Sequence, residues 1–209
     1  MIQEKKRGKF IVLEGIDGCG KSTQIELLAE HLRAMGREVA VTAEPTASVS
    51  GKMLRTALSG AEARTAAEMA ALFVLDRIHH NVCEGGIEEL LARGVDVICD
   101  RYYYSSLAYQ GSETDFEWVR HMNLDCPEIR RPDLCVFLDL LPTESLRRIA
   151  ASRSSTEIYE KQELLEKFRA RFLWVFDLLK KTDRVAIIDA SPSIDEVSAA
   201  ILDAVDQIL

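Results

Sequence analysis

The sequence predicts an α/β protein: a five-stranded parallel sheet with helices on both faces. Three observations carry that expectation. Five apolar runs of strand length occur along the 209 residues, at Phe10–Glu14, Glu38–Thr42, Val95–Asp100, Asp133–Asp139 and Arg184–Asp189. Between them lie segments with apolar residues at helical spacing, and strands that alternate with helices pair in parallel because each helix is the crossover that parallel pairing needs. The runs are near-continuously apolar at their centres, as strands covered on both faces are.

Taken in order, the first run leads directly into Gly15-Ile16-Asp17-Gly18-Cys19-Gly20-Lys21-Ser22-Thr23. This stretch fits G-x-x-x-x-G-K-[ST]. It has a strand before it and the helical pattern of Gln24–Leu32 after it, which is the context a phosphate-binding loop demands. Gly15, Gly18 and Gly20 permit conformations barred to residues with a Cβ, so successive N–H groups can converge on one anion. The helix starting near Lys21 adds unpaired N–H groups and the positive end of its dipole. Lys21 is expected at the β- and γ-phosphates of a nucleoside triphosphate, and the Ser22 hydroxyl at Mg²⁺. A chance Gly-Lys-Ser in a glycine turn would leave the flanking strand and helix as coincidence.

The second strand, Glu38–Thr42, follows Gly36, and Ser50–Leu58 reads as a short helix. Ala66–Ala92 is a long helical pattern bent at Glu84-Gly85-Gly86. Val95–Asp100 is a buried strand ending in a carboxylate, and Asp133–Asp139 is introduced by Pro132. Pro142–Ala151 and Glu157–Lys181 read as helices, Arg184–Asp189 as the last strand and Ser193–Leu209 as the closing helix. No repeat, low-complexity tract or linker interrupts the series, so residues 1–209 are expected to form one domain.

A net charge of −8 speaks against a sequence-independent nucleic-acid surface, which needs a basic face. No apolar run approaches membrane-spanning length, so neither nucleic acid nor membrane is an expected partner. Cys19, Cys83, Cys99, Cys126 and Cys135 are odd in number and lack C-x-x-C spacing; they read as the reduced thiols of a cytoplasmic protein. Cys19, a thiol inside an anion-binding loop, is a candidate for oxidation, although a small residue at a variable position is the plainer reading.

Ligands on a parallel sheet sit beyond the carboxyl ends of its strands. Asp17, Glu44-Pro45-Thr46, Asp100-Arg101 and Leu140-Leu141-Pro142 all lie there. A guanine-reading N-K-x-D after a strand is absent, which disfavours a GTPase switch, and 209 residues leave little room for motor elements. Arginines gather instead: Arg101 at a strand end, Arg55 on the short helix and Arg77 on the long one. Transfer between two phosphates must neutralise an acceptor anion, and arginine forks do that bidentately. Any one of these arginines alone reads as a solvated helix face; their company points to a phosphate acceptor.

The chain resembles the thymidylate kinases, of the nucleoside monophosphate kinase class with the P-loop NTPase fold, from about Lys9 to the C-terminus. The resemblance is carried by the phosphate loop, Glu44-Pro45-Thr46, Leu72–His80 and Asp100–Gly111. The last of these matches the family's D-R-[YFH]-x-x-S-x-x-A-Y-Q signature. It implies transfer of the ATP γ-phosphoryl to dTMP, with Mg²⁺, in a homodimer. By the same resemblance Phe73 would stack on the thymine, although core packing reads equally well from the residues, and Arg77 would contact the base or its phosphate. Arg101 would grip the acceptor phosphate, with Asp100 at the metal or orienting that arginine. Ser105, Ser106, Tyr109 and Gln110 would line the nucleoside pocket, with Tyr109 near the 2′ position. Asp17 would reach the acceptor's sugar hydroxyl or a metal-bound water, joined by Glu44. Tyr102, Tyr103 and Tyr104 cannot all face one pocket, so at least one is expected to pack.

The resemblance also implies a mobile lid, at about residues 148–160. Gly18 stands where a loop cation would be, so Arg153 of the lid would clamp the transferred phosphoryl, with Arg148 in reserve and Tyr159 approaching the deoxyribose. Two departures stand out. Ala43 replaces an arginine common among relatives, shifting weight to Arg55, and the lid is short and serine-rich. Because the acceptor is already an anionic phosphate oxygen, no general base is needed, and Lys21, Arg101, Arg153 and Asp17 are the expected catalytic set. The rival expectations are a kinase for another monophosphate such as dUMP, and a nucleotide-binding interaction protein without transfer.

Overall fold

Five strands and their crossovers appear where the apolar runs place them. The computed structural model describes residues 6–152 and 158–209, with the side chains of 151, 152 and 158–161 outside the description. The order is β1 (Phe10–Glu14), α1 (Lys21–Ala34), β2 (Val39–Ala43), α2 (Val49–Leu58), α3 (Ala66–Val82), α4 (Ile87–Ala92) and β3 (Asp96–Asp100). There follow α5 (Tyr103–Ala108), a 3₁₀ turn (Gln110–Ser112), α6 (Phe116–Leu124), β4 (Leu134–Asp139), α7 (Pro142–Ser152), α8 (Ile158–Leu179), β5 (Val185–Asp189) and α9 (Ile194–Asp206). The sheet runs β2-β3-β1-β4-β5 with every neighbouring pair parallel.

Strand side chains alternate between faces, so the sheet divides one apolar sequence into two cores. Phe10, Val12, Cys99 and Phe137 pack towards Tyr102–Tyr104 and the Phe172 and Phe176 rings of α8. Ile11, Leu13, Val136 and Leu138 pack towards Leu28 and Leu32 of α1 and Ile201 of α9. All five residues of β1 are buried, as a central strand with both faces covered requires. Two of the helices start at capping boxes: Thr65 and Glu68 at α3, and Ser193 and Glu196 at α9.

The long pattern of 66–92 breaks at the Gly85-Gly86 bend, giving α3 and α4. Helices α5 and α6 have no counterpart in the sequence expectation. Every residue of α5 is buried, so it shows no amphipathic period to read. All three neighbouring tyrosines are fully buried, and packing claims more of them than expected. The Tyr103 and Tyr104 hydroxyls both donate to Asp183, at 2.5 and 2.9 Å. Burial pushes all three phenols well above their ordinary range.

Parallel pairing brings the carboxyl ends level: Leu13 lies beside Asp100, and Asp139 beside Asp189. The loops after β1, β2, β3 and β4 therefore share one edge, where the site forms.

Candidate functional site

The phosphate loop is made by backbone. Gly15, Gly18 and Gly20 adopt φ of 151°, 75° and 97°. At Gly15 a Cβ would also stand 2.6 Å from Cys19 Sγ and 2.9 Å from the Leu138 carbonyl, so both space and conformation require glycine. Helix α1 begins at Lys21 with no side-chain cap, which leaves its first N–H groups facing the loop. Lys21 is buried and folds over the loop, its Nζ donating to the carbonyls of Gly15 (3.0 Å) and Ile16 (3.3 Å). Ser22 and Thr23 are exposed on the first turn. Burial pushes the Cys19 thiol above its ordinary value, which holds it protonated and argues against the oxidation-prone reading.

Against this loop stands a cavity of about 630 Å³. Asp17, Glu44, Phe73, Arg77, Arg101, Ser105, Tyr109 and Gln110 line it, and so reach one cleft from four separate stretches of the chain. Phe73 is a wall of that cleft, not a core residue. Two expected residues stand back from it. Ser106 is buried and accepts from Arg77 Nη2 at 3.2 Å; Arg55 is exposed and donates to the Pro45 carbonyl at 2.9 Å. Arg153 lies outside the described residues, as does the side chain of Tyr159. Arg148 is occupied, donating to Glu144 (3.1 Å) and to the Ala190 carbonyl (3.0 Å).

Arg101 joins the two halves. It leaves β3 in the left-handed region, φ 65°, and its backbone N–H donates to the Leu13 carbonyl at 3.0 Å. Its guanidinium donates to Asp17 (2.6 Å), Ser105 Oγ (3.2 Å) and the Tyr109 hydroxyl (3.3 Å), and lies over the Tyr109 ring. Burial opposes its charge, yet Tyr109, Glu14, Asp17 and Asp100 outweigh that and hold its pKa above the ordinary value. Burial, eased by Arg101, leaves the Tyr109 phenol pushed up to about 12. Helix α5 has no side-chain cap of its own, and the fully buried Glu14 supplies one from β1. It accepts from the N–H groups of Tyr102 (2.9 Å) and Ser105 (3.1 Å) and from Ser105 Oγ (2.7 Å).

In the cavity wall Arg77 and Glu44 form a buried ion pair, with Nε at 2.9 Å and Nη2 at 2.6 Å from Glu44 Oε2. Arg77 also lies over the Tyr102 ring and donates from Nη1 to Asn123. Burying two charges succeeds only when most of the remaining donors and acceptors are met, and here four of the five Arg77 N–H groups and both Glu44 oxygens have partners. Sequence reasoning missed Asp76, which is fully buried and accepts from Thr46 N–H (2.7 Å), Thr46 Oγ1 (2.7 Å), Ser48 Oγ (2.6 Å) and Ser50 Oγ (2.8 Å). Burial opposes its charge, but those bonds outweigh it and hold the carboxyl below its ordinary value. The signal was there: a carboxylate on the buried stripe of α3, opposite three hydroxyl residues at alternate positions. The apolar wall of Leu146, Leu164, Leu165 and Phe168 was also missed, because α7 and α8 reach the cleft only through tertiary packing.

Asp100 Oδ1 is buried without a hydrogen-bond partner among the described residues, an acceptor with capacity to spare for a cation or its water. No cluster of three carboxylate, His or Cys ligands occurs among the described residues. Mg²⁺ keeps waters and takes few protein ligands beside phosphate oxygens, and the Asp100 carboxylate with the exposed Ser22 hydroxyl is a donor set of that chemistry.

A family model for thymidylate kinase matches residues 13–201, from the end of β1 into α9. The chain belongs to the thymidylate kinase family. Among similar proteins, a probable thymidylate kinase of Pyrococcus horikoshii is 41% identical over 203 residues, covering 94% of this chain and 95% of its own length. One from Pyrococcus abyssi is 40% identical over 198 residues (91% and 92%). A thymidylate kinase of Desulfotalea psychrophila is 37% identical over 204 residues (97% and 96%). The family match spans both halves of the cleft, the glycine loop and the wall opposite.

Proposed function

We propose that the protein transfers the γ-phosphoryl group of ATP to dTMP, giving dTDP and ADP. The observation that carries this is the Arg101–Asp17 contact of 2.6 Å, which sets an acceptor-side cation directly against the phosphate loop. Donor and acceptor would then meet at one cleft, where Asp17 of the loop and Arg101 both line the cavity. The loop N–H groups and Lys21 hold the β- and γ-phosphates, and Lys21 exchanges its loop carbonyls for phosphate oxygens. Arg101 neutralises the acceptor phosphate and aligns its oxygen with the γ-phosphorus. The apolar wall of Phe73, Leu164 and Phe168 holds a planar base and excludes water, which favours transfer over hydrolysis. Ser22 and Asp100, with waters, would hold Mg²⁺, which would supply positive charge beside the phosphates.

Within this reading Arg153 and Tyr159 belong to a lid at about 148–160 that closes one domain spanning 1–209. The protein acts in the cytoplasm as a homodimer. Its support is a pair of exposed apolar rows, Val49 and Met53 along α2 and Leu75 and Val82 along α3, and five free cysteines. No helix among the described residues is long and apolar enough to cross a membrane.

A panel of monophosphates at fixed ATP tests the assignment. The expected result is ADP formation that depends on dTMP and exceeds that with dUMP. Faster turnover of another monophosphate would reassign the acceptor. ATP binding without acceptor-dependent ADP would remove the transfer activity altogether.

A further inference from the structure

The Arg77–Glu44 pair does not end the buried polar chain. Glu44 uses Oε2 for Arg77 and turns Oε1 to Nδ1 of His80, at 3.1 Å, while His80 Nε2 meets Thr42 Oγ1 at 2.7 Å. His80 is buried on the inner face of α3 and does not line the cavity. Glu44 is ion-paired and can only accept, so Nδ1 carries the ring proton. In the neutral ring Nε2 then accepts the Thr42 hydroxyl proton. The imidazole thus ties the end of β2 to the carboxylate that begins the next loop.

The consequence falls on Arg77. Of its five N–H donors, two meet Glu44 Oε2, one meets Ser106 and one meets Asn123. One Nη1 N–H is left over among the described contacts, on a guanidinium that forms part of the cavity wall. Where that hydrogen points depends on where the Glu44 carboxylate is held, and Oε1 has no other hydrogen-bond donor than His80 among the described residues. We propose that His80 is a positioning residue for the acceptor: by anchoring Glu44 through Nδ1, it fixes Arg77 in the orientation that binds the monophosphate. The proposal rests on reading the cleft as a dTMP site. It concerns affinity for the acceptor only, since the phosphate loop lies outside this chain of bonds.

Two substitutions separate the two ends of the ring. An asparagine amide stands close to the Nδ1 position, so His80→Asn keeps the bond to Glu44 and gives up Thr42. A glutamine amide stands close to Nε2, so His80→Gln keeps Thr42 and gives up Glu44. Calorimetric Kd for dTMP, with steady-state KM and kcat, is the readout. His80→Gln is expected to weaken dTMP binding about tenfold, the scale of losing a bond to a charged group, with kcat and the KM for ATP within about twofold. His80→Asn is expected to stay within about threefold of wild type. The ¹⁵N spectrum of the wild-type ring should show a protonated Nδ1 and an unprotonated Nε2. Equal losses in both variants, no loss in His80→Gln, or the opposite tautomer would overturn the proposal while dTMP kinase activity stands. Wild-type protein that fails to bind dTMP at all would remove the underlying reading as well. Melting curves of both variants identify any loss that comes from unfolding, and a His80→Gln protein with a wild-type melt and a tenfold loss is the supporting case.

Discussion

The two sides of the cleft are built by opposite means. The donor side is nine consecutive residues whose ligands are backbone N–H groups and the one cation Lys21, shaped by glycines and one helix start. The acceptor side is assembled from β2, α3, α5, α7 and α8, and its shape depends on buried side-chain bonds among Glu44, Asp76, Arg77, His80 and Asn123. A site made of backbone depends on the local path of the chain. A site made of side chains from distant segments depends on the fold being complete. The first should therefore lose chemistry without losing stability, and the second should lose both together wherever a buried charge is left without its partner.

The largest effect expected is at Arg77. Arg77→Ala leaves Glu44 buried with no guanidinium partner, which costs about 3–5 kcal/mol. Urea denaturation should show that loss, and acceptor binding should fall with it; a variant as stable as wild type would break the contrast at once. Next comes Lys21→Ala. Removing a cation aimed at the transferred group should lower kcat by ~10²–10³-fold, as with other donors that act on developing charge. The melting temperature should stay within a few degrees, because Lys21 contacts only the carbonyls of its own loop at hydrogen-bond distance, beyond a 3.9 Å approach to Cys19. Wild-type turnover in Lys21→Ala would remove it from the mechanism.

Asp76→Asn sharpens the contrast through pH. Asp76 has a folded pKa below its ordinary 3.8. Its contribution to stability is thus fully present above the unfolded value and is lost as pH falls through the lower folded value. At pH 7 the asparagine variant should be less stable by about 1–3 kcal/mol, since one donor now faces donors. The gap between the two proteins should narrow below about pH 4. A gap that does not change between pH 7 and pH 3 would mean that the carboxylate charge is not what holds Thr46, Ser48 and Ser50.

How much of this could be read in the sequence follows the same division. Gly15–Thr23 is contiguous, and its spacing states its chemistry. The five strands are equally legible, because a strand buried on both faces has to be apolar throughout. Arg101, Ser105 and Tyr109 are legible as a unit because they share one turn and one short helix. The resemblance to a family placed Glu44, Phe73 and Arg77 at the cleft, but could not show that Glu44 and Arg77 are partners. Asp76 is marked only by its place on the buried stripe of α3, and nothing local marks His80, which sits on the same helix among core residues. Their roles exist only once α3 is laid against β2 and the loop after it. Helix α5 escaped for a related reason: burial on all sides erases the period by which a helix is recognised, and its cap, Glu14, comes from 88 residues before its first bonded partner, Tyr102.

The smallest effect expected is at Cys19, and it tests the claim that the donor loop is a backbone device. Cys19 stands in the middle of the phosphate loop, yet its side chain is buried in the apolar cluster that includes Ile11, Leu13 and Leu138, with Lys21 Nζ 3.9 Å from its Sγ. Replacing it with alanine removes one small apolar group, at a cost of about 1 kcal/mol, and leaves every loop N–H in place. ATP affinity and kcat should therefore stay within about twofold of wild type. The thiol itself should be inert: burial raises its pKa, and the thiolate is the species that reacts. Alkylation of the folded protein near neutral pH, read by mass spectrometry, should modify Cys83 before Cys19, Cys99 or Cys135. Rapid labelling of Cys19, or a large loss of ATP affinity in Cys19→Ala, would mean that the loop depends on a buried side chain as well as on its N–H groups and Lys21, and the division between the two halves of the cleft would no longer hold.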